Sequence, residues 1–473
     1  MRWMERTGGT LRRSVLVGAV AVSATFVAGP PAWEAADSNP VEAGTAQVDG
    51  PASSDGVEQA DRRKVPVLVS HRTAVLRAGV VGSNEQNDTF PETDISVAAI
   101  AEIGDTIYIG GKFTNVEIAA TGQRHGQRFL AAFDRTTGAW IDTFRPTING
   151  NVWDLRATDD GRLIVAGQFT SVNGEPNTTG VAMLDASSGS VDPNWRVNLT
   201  LTGSDHWPVA RTLDVDDGKV YIGGNFTRIA GTDGVIARVG QMARVDLDTG
   251  RVDRTFLPDF GGIVFDIDAD GERVYAVGDF LYVNGVWSIG LAVLQARNGE
   301  LVTGLEPWIR TSIDNTRRSY QQAVLALDDQ IWQAGSEHSR QVYRPSDYAL
   351  IRSWISHPFG DGQALATLNG VVYSGSHANG VTNLYQDAFR WPGLDGASSN
   401  KPVRWMAAFS TVTPEHLSWY PDIGSRNGEG SWELFVDSTD CLWTGGDFNR
   451  GSYDGNTPRY VQGFAKFCTA AVR

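Results

Sequence analysis

Short runs of alternating apolar and polar residues recur along most of this chain, and several of them end in the same phrase. The segment VYIGGNFTRIAG at 220–231 has close copies at 107–117, 163–174, 274–285 and 442–452. Two-residue alternation over short runs is typical of strands, and the frequent glycines between them are typical of turns. The pattern therefore predicts an all-β protein built from repeated units.

The repeat has a regular period. Alignment of the copies on the glycine two places before the phenylalanine, or on its equivalent, gives Gly111, Gly167, Gly224, Gly278, Gly335, Gly375 and Gly446. Successive glycines lie 56, 57, 54, 57, 40 and 71 residues apart, and the two irregular spacings together span close to two regular units. We therefore expect seven units between residues 63 and 473. Such a period is typical of a propeller or a solenoid.

Each unit is predicted to contain four strands. In the second unit these are Val152–Ala157, Leu163–Phe169, Val181–Ala186 and Val191–Val197. The acidic segments DVDDG and DIDADG resemble calcium loops in composition but lack the later carboxylate ligand, so they predict turns between first and second strands. The glycine pair would let neighbouring units approach closely, and the phenylalanine would pack between them. The predicted fold class is an all-β, seven-bladed β-propeller of four-stranded blades.

The phrase Gly-Gly-x-Phe-Thr-x-Val-Asn-Gly, the Asp-x-x-Thr-Gly turns at 134–138 and 246–250, and the Phe-x-Pro-x-x-x-Gly segments resemble the delta-60 repeat, a family of β-propeller repeats common in secreted bacterial proteins. The resemblance covers 110–290 well and 431–473 moderately, whereas 310–430 departs from it. It implies a propeller and no particular reaction, because the family is known mainly as a structural repeat. A similar phrase also occurs in fungal cell-surface polarity markers.

A ring of units needs a connection between its two ends. Either Val65–Val69 or Ala74–Ala78 is β-prone and is a candidate to pair with the last unit. Cys441 begins the second strand of that unit and Cys468 ends its third, so the two positions lie opposite each other in an antiparallel hairpin. We expect a disulfide there, which contributes on the order of 3 kcal/mol to stability.

The composition and the N-terminal sequence indicate which partners the protein can bind and where in or outside the cell it is located. The 473-residue chain has a net charge of −15, which disfavours nucleic acid and anionic membrane surfaces as partners. Residues 1–28 predict a signal peptide, and Arg12-Arg13 leaves twin-arginine export open beside the general secretory route. Residues 29–62 predict a disordered linker. We therefore expect a secreted or extracellular protein, with the bacterial cell surface as one location, that is monomeric and has no membrane insertion.

The repeated phrase fails in the fifth and sixth units, which become the candidates for a functional site. There the phenylalanine is lost and histidines appear, in IWQAGSEHSR at 331–340 and VVYSGSHANG at 371–380. In a propeller, the loops after second strands and the loops entering first strands share one face. The residues expected on that face are His206, Trp207, Arg318, Glu337, His338, His357, His377 and Trp391.

These residues leave more than one function open. Histidines with a carboxylate suit acid–base chemistry or metal ligation, arginines suit an anionic group such as a uronate, and Trp207, Trp391 and Trp432 suit stacking on sugar rings. Loop histidines of divergent repeats can equally be solvated and without a role. We predict a scaffold-type propeller that binds an extracellular glycan or protein, without a cofactor or metal. The alternative is an extracellular polysaccharide lyase or glycoside hydrolase that uses the histidine-bearing loops.

Overall fold

The regular structure of this chain consists of β-strands. The computed structural model describes residues 66–83, 95–309, 319–357, 360–378, 383–386, 400–413, 415–454 and 457–469. Every regular element in these residues is a strand, and they contain no helix that could span a membrane. The all-β prediction is therefore confirmed. The predicted signal peptide at 1–28 and linker at 29–62 lie outside the described residues.

Among the described residues, seven antiparallel sheets share one order, in which a first strand pairs with a second and the second pairs with a third. The first strands are Ser96–Ile103, Asn151–Ala157, Val209–Asp216, Val264–Asp270, Gln321–Leu327, Gly362–Leu368 and Ser431–Val436. The second strands are Thr106–Lys112, Arg162–Gln168, Lys219–Asn225, Arg273–Gly278, Gln330–Gly335, Val371–Ser376 and Cys441–Gly446. The third strands are Leu130–Asp134, Val181–Asp185, Met242–Asp246, Leu291–Gln295, Ser339–Tyr343, Met406–Ser410 and Phe464–Cys468.

Tight turns connect the first and second strands. In the third sheet, Asp217 and Gly218 have φ angles of 45° and 67° between the two paired strands. These angles belong to a two-residue hairpin turn, which favours Asp or Asn followed by Gly. The segment DVDDG thus forms a turn as predicted, but its Asp214 and Asp216 belong to the first strand itself.

The predicted fourth strand has different forms in different sheets. Further strands extend the fifth and sixth sheets, namely Leu350–His357, Asn383–Gln386 and Asn400–Pro402 in the fifth and His416–Leu417 in the sixth. In each of the first four sheets a single bridge joins the third strand to the outer segment, as between Leu184 and Val191. The strand predicted over Val191–Val197 is a bridge followed by a turn, in which the Asn194 N–H donates to the Asp192 side chain at 2.8 Å.

Additional short strands lie in the loops around these sheets. They are Ala78–Val81 with Asn115–Ile118 and Arg124–Gly126, Asn198–Thr200 with Arg228–Ala230 and Ile236–Arg238, Tyr282–Val283 with Val286–Trp287, Gly424–Ser425 with Phe448–Arg450, and Tyr453–Asp454 with Thr457–Pro458. The Val-Asn-Gly part of the repeated phrase ties such a loop in place. The Asn284 side chain accepts a hydrogen bond from the Asp259 N–H at 2.8 Å and donates one to the Gly299 carbonyl at 3.0 Å.

Apolar side chains fill the space between neighbouring sheets. One cluster joins Ala99 of the first sheet to Leu155, Leu163 and Val165 of the second. The phenylalanines of the repeated phrase are each at most 1% exposed, namely Phe113, Phe169, Phe226, Phe280 and Phe448. Their burial agrees with the packing role predicted for them.

The sheets contact one another in chain order. Each first strand contacts the first strand of the next sheet, and the first strand of the seventh sheet contacts that of the first sheet. The N-terminal segment joins these two sheets as well. Strand Ala78–Val81 pairs with Asn115–Ile118, while the Ala74 N–H donates to the Lys466 carbonyl at 2.7 Å. Both segments proposed to meet the last unit do so, Ala74–Ala78 through this backbone hydrogen bond and Val65–Val69 through Val69, which shares an apolar cluster with Leu442 and Phe467.

The predicted disulfide is present in the seventh sheet. Cys441 and Cys468 are paired in the register of the second and third strands, with their Cα atoms 4.1 Å apart. Beside it, the Lys466 ammonium forms a buried ion pair with Asp437 at 2.9 Å. The hairpin that both cysteines belong to is thus held by a covalent bond and by an ion pair.

The strand register corrects one position of the repeat alignment. In the sixth sheet Gly362 pairs with Ser376, whereas the equivalent first-strand residue of the other sheets pairs with the aligned glycine. Ser376 rather than Gly375 therefore continues the series. The phenylalanine position of this unit is Ala378, and His377 directly precedes it.

Candidate functional site

Each of the seven first strands carries a β-bulge near its N-terminal end. A bulge leaves one residue unpaired in the ladder and redirects its side chain. The bulged residues are Ala98, Trp153, Arg211, Phe265, Gln322, Gln363 and Trp432. All seven line one cavity of about 350 Å³ that the first strands surround, which we call the channel.

The aligned glycine of the repeated phrase provides space for these bulges. In the third sheet, a Cβ atom on Gly224 would lie 2.1 Å from the Val209 carbonyl oxygen and 2.8 Å from the backbone nitrogen of Arg211. In the seventh sheet, a Cβ on Gly446 would overlap the carbonyl oxygen of Gly430. Glycine allows this close approach in six of the seven sheets, whereas the sixth sheet has Ser376 at this position opposite Gly362. The repeated motif therefore has a structural role and positions a neighbouring residue that differs between units.

The channel opens on the face where first strands begin and second strands end. Its opening, which we call the channel mouth, has a volume of about 420 Å³. The side chains that line it include Trp153, Arg211, Phe265, Tyr320, His377 and Trp432. Val209 at the start of a first strand pairs here with Asn225 at the end of a second strand. This is the face on which the sequence predicted a site.

The guanidinium of Arg211 is stacked on tryptophan at the mouth. Its Cζ lies 4.1 Å from the centroid of the Trp153 ring and 5.8 Å from that of Trp432. Within the described part of the chain, no residue forms a hydrogen bond or an ion pair with this group. Burial lowers the pKa of Arg211 to about 10, although Asp154 and other carboxylates oppose this shift, so the group is a cation at neutral pH.

Two amide side chains face the channel beside Arg211. Gln363 is only 5% exposed, and neither its Oε1 nor its Nε2 has a hydrogen-bond partner. Gln322 occupies the equivalent bulge of the preceding sheet. A buried amide without partners costs free energy, and a polar ligand in the channel would remove that cost.

Carboxylates within the channel hold neighbouring first strands together. Each accepts a hydrogen bond from a backbone N–H of the next first strand, with Asp154, Asp214, Asp266 and Asp268 accepting from Leu213, Ala269, Val324 and Ala326 at 2.6, 2.6, 3.0 and 2.7 Å. Burial raises the pKa of Asp266 and of Asp268 to about 7. Burial also raises the pKa of Glu433 well above its usual range. These groups satisfy the strand edges that face the channel.

A second polar group surrounds Asp361 at the edge of the mouth. The Tyr320 hydroxyl donates to Asp361 Oδ2 at 2.8 Å, and His338 Nε2 lies 3.2 Å from Oδ1. The His377 N–H donates to the Asp361 carbonyl at 3.3 Å. The His377 ring meets Trp432 edge-on, with centroids 5.6 Å apart, and burial lowers its pKa. Two of the predicted histidines thus lie beside one carboxylate that the sequence did not single out.

Glu337 occupies the phenylalanine position of the fifth unit and is buried between sheets. It accepts a hydrogen bond from Gln321 Nε2 at 2.5 Å, and burial raises its pKa. The adjacent Arg340, which is 1% exposed, donates to the carbonyl oxygens of His338 and Gly360 at 3.2 and 3.1 Å. This guanidinium fixes the backbone on both sides of the Asp361 group.

The remaining predicted residues lie elsewhere or outside the described structure. His206 and Trp207 are exposed in the loop that precedes the third sheet, with 46% of Trp207 accessible. Neither is among the described residues that line the mouth. His357 is the last residue of a strand in the fifth sheet. Arg318 and Trp391 lie outside the described residues, so their place in a site stays a prediction.

Sequence reasoning missed most of the mouth, including Trp153, Arg211, Phe265 and Tyr320. A signal was nevertheless present, because these residues stand at first-strand positions that differ from unit to unit. The parts of the chain described here contain no group of three or more His, Cys, Asp or Glu that could hold a metal ion. That the protein works without a metal or cofactor stays a prediction.

The similarities of this chain to known proteins are weak. No family model matches it. A stretch of 151 residues is 29% identical to polarized growth protein L1 of Phoma sp. (strain ATCC 20986 / MF5453), covering 32% of this chain and only 11% of that curated relative. Two solved structures with some likeness are the computationally designed Ika8 protein and the extracellular domain of a putative one-component system from B. thetaiotaomicron.

The structural likenesses are low in both score and identity. The designed protein has a TM-score of 0.42 and 13% identity, with 82% of this chain and 99% of that chain covered. The extracellular domain has a TM-score of 0.44 and 11% identity, with coverages of 84% and 39%. This chain therefore spans well under half the length of the second protein.

Proposed function

We propose that this chain is a secreted or surface-associated seven-bladed β-propeller that binds an extracellular glycan at the channel mouth. Three features support the propeller: seven sheets of the same order, contacts between successive first strands that return from the seventh sheet to the first, and an equivalent bulge in each. The disulfide supports an oxidising compartment, as in secreted proteins. The protein acts as a monomer in this proposal.

The observation that carries the binding function is the combination of flat aromatic rings with unused polar groups at the mouth. Trp153, Phe265 and Trp432 provide apolar surface at the mouth, and Arg211 provides hydrogen-bonding groups that no described residue engages. Gln363 provides further unpartnered polar atoms in the channel, which Arg211 also lines. Sugars present apolar faces edged by hydroxyl groups, and they are bound by aromatic rings with polar neighbours. A protein ligand, the other class predicted from the sequence, would require a broader surface than this concave opening.

A binding assay with tryptophan variants tests this function. The purified full chain is titrated with a panel of neutral and acidic polysaccharide fragments by isothermal titration calorimetry. We expect Trp432→Ala to weaken glycan binding about tenfold or more, because loss of a large apolar contact costs about 1.5–3 kcal/mol. Trp207→Ala is the matched control, since that tryptophan is exposed outside the mouth. No binding by the parent chain, or equal binding by the parent chain and Trp432→Ala, contradicts the proposal.

A second candidate function is glycan cleavage, and the Asp361 group favours it. One carboxylate there holds the Tyr320 hydroxyl and the His338 imidazole, and Tyr320 and His377 both line the mouth. Such groups can move protons at a bound sugar. The test is the appearance of new reducing ends or unsaturated products on incubation with the polysaccharides that bind. Products that persist in Tyr320→Phe and His377→Ala would exclude these residues as the source of activity.

A further inference from the structure

The channel contains two arginines in different electrostatic situations. Arg156 is ion-paired, with its Nη1 at 2.6 Å from Asp154 and its Nε at 3.8 Å from Asp214. Arg211 has aromatic neighbours and no such partner in the described structure. Arg211 Cζ lies over the Trp153 ring, which restricts the position of the guanidinium, and no described residue accepts from its N–H groups. A guanidinium held in this way is prepared for a planar, two-oxygen acceptor.

The channel carboxylates do not serve as that acceptor. Asp154 accepts hydrogen bonds from the Leu155 and Leu213 N–H groups at 2.7 and 2.6 Å. Asp266 accepts from the Ile267 N–H and the Val324 N–H, both at 3.0 Å. These bonds orient both carboxylates toward the backbone. Burial favours the protonated form of Glu433, which reduces its repulsion of an anionic ligand.

The amide of Gln363 is an independent indication that a ligand belongs here. Its two polar atoms are buried, unpartnered and directed to the cavity that Arg211 also lines. An amide can donate to one oxygen of a ligand and accept from a hydroxyl group of the same ligand. Sugars that carry both a carboxylate and hydroxyl groups match this set of donors and acceptors.

We infer that the channel mouth binds an acidic sugar, with Arg211 as the residue that pairs with the sugar carboxylate and Trp432 as the ring against which the sugar packs. This inference rests on the proposed glycan-binding function and specifies its ligand class. A bidentate Arg–carboxylate pair is expected to favour the acidic sugar over its neutral counterpart by about tenfold or more. The net charge of −15 repels a polyanion only weakly from a distance, since physiological salt screens exposed charges beyond about 8 Å.

Matched oligosaccharides test this inference directly. Tetrasaccharides of galacturonate, mannuronate and glucuronate are each compared with the same tetrasaccharide after reduction of its carboxylates to hydroxymethyl groups. Ring, linkage and length are unchanged, so only the charge and shape of one substituent differ. Affinities of the purified full chain are measured at physiological ionic strength by calorimetry and by quenching of tryptophan fluorescence.

Two substitutions at Arg211 separate charge from geometry. We expect Arg211→Gln to abolish the preference for the acidic member of the pair. Arg211→Lys should retain only part of the preference, because an ammonium lacks the two parallel N–H donors with which a guanidinium binds a carboxylate. Arg145→Gln is the matched control. Arg145 also lies over a tryptophan ring, 5.0 Å from the centroid of Trp140, but outside the mouth. It should leave the preference unchanged.

The outcomes distinguish this inference from the function on which it rests. Equal affinity for acidic and reduced oligosaccharides, or a preference that survives in Arg211→Gln, overturns the inference while leaving glycan binding in place. Binding of neither member of any pair, with binding elsewhere in the panel, also overturns it. Failure to bind any glycan overturns both. Urea unfolding midpoints of each variant show whether a lost preference reflects a lost fold.

Discussion

At the scale of single residues, aspartates in the channel connect one sheet to the next. Asp154 accepts hydrogen bonds from the Leu155 and Leu213 N–H groups and from the Arg156 guanidinium, at 2.7, 2.6 and 2.6 Å. One carboxylate therefore satisfies its own strand, the neighbouring first strand and a buried cation. Such a position tolerates little change, because buried donors without an acceptor are costly.

Replacing this aspartate tests that role. We expect Asp154→Ala to lower the free energy of unfolding by about 2–4 kcal/mol, since it leaves the Leu213 N–H without its acceptor and removes the nearest carboxylate from the buried Arg156 guanidinium. Equilibrium unfolding in urea provides the measurement. Asp142→Ala is the control, because Asp142 is exposed and makes no described hydrogen bond. Equal midpoints for the two variants would show that the inter-sheet bonds contribute nothing measurable.

Sequence reasoning was least successful in predicting which individual residues line the channel mouth. Histidines drew attention because they are rare, and His338 and His377 do lie together beside Asp361. Arg211 and Trp153 were not recognised, because a bulge shifts the strand alternation by one residue and no polar–apolar pattern reveals that shift. The repeat itself carried the missing information. A motif shared by five units builds the frame, and residues at equivalent positions that differ between units are free to bind.

At the scale of elements, the glycine pair and the bulge form one structural unit. Gly224 faces the Val209 carbonyl across the strand pair, next to the backbone of Arg211. We expect Gly224→Ala to lower the free energy of unfolding by about 1–3 kcal/mol, because the added Cβ must displace a backbone atom. It should also weaken binding of the acidic tetrasaccharides, since the displaced strand carries Arg211.

The matched control for this prediction is Gly126→Ala. Gly126 lies at the end of a short strand, and a Cβ there would meet no atom within 4 Å. Urea midpoints and tetrasaccharide affinities of the two variants are compared with those of the parent chain. If Gly224→Ala is as stable as Gly126→Ala and binds as well, the glycine pair is not what holds the bulge.

Strand positions were predictable to the extent that local patterns determine them. Val152–Ala157 and Val181–Ala186 were predicted to within one residue of the observed strands, because apolar alternation and Asp-Gly turns specify both strands and ends. The outer strand predicted over Val191–Val197 was wrong, because the Asp192 side chain accepts a hydrogen bond from the Asn194 N–H and the chain turns there after a single bridge. The sixth-unit glycine was misplaced by one residue, since Ser376 replaces it and only the pairing register shows the equivalence.

At the scale of the whole molecule, two populations of carboxylates contribute to stability with opposite signs. Turn residues form the first: hydrogen bonding from the Thr249 hydroxyl lowers the pKa of Asp246 to about 2. The pKa of Asp437 is also lowered to about 2, because hydrogen bonds from Trp443, Thr439 and Lys466 overcome the effect of burial. Asp266 and Asp268 of the channel form the second population, whose pKa values are raised by burial. Low pH therefore destabilises the turns and stabilises the channel.

These opposite shifts predict a stability maximum on the acidic side of neutrality. Asp266 and Asp268 have ordinary pKa values of 3.8 and folded values of about 7, so the stability that they contribute is complete below about pH 4 and is lost as the pH rises through 7. The contribution of Asp246, whose folded pKa is about 2, is instead lost as the pH falls below about 4.

We expect the urea midpoint to be highest near pH 4–5 and to fall toward pH 8. The double substitution Asp266→Asn and Asp268→Asn keeps an acceptor oxygen for the strand N–H groups and should flatten that fall, whereas Asp142→Asn should not. A parent midpoint that rises between pH 4.5 and 8 would mean that burial in the channel does not disfavour these charges.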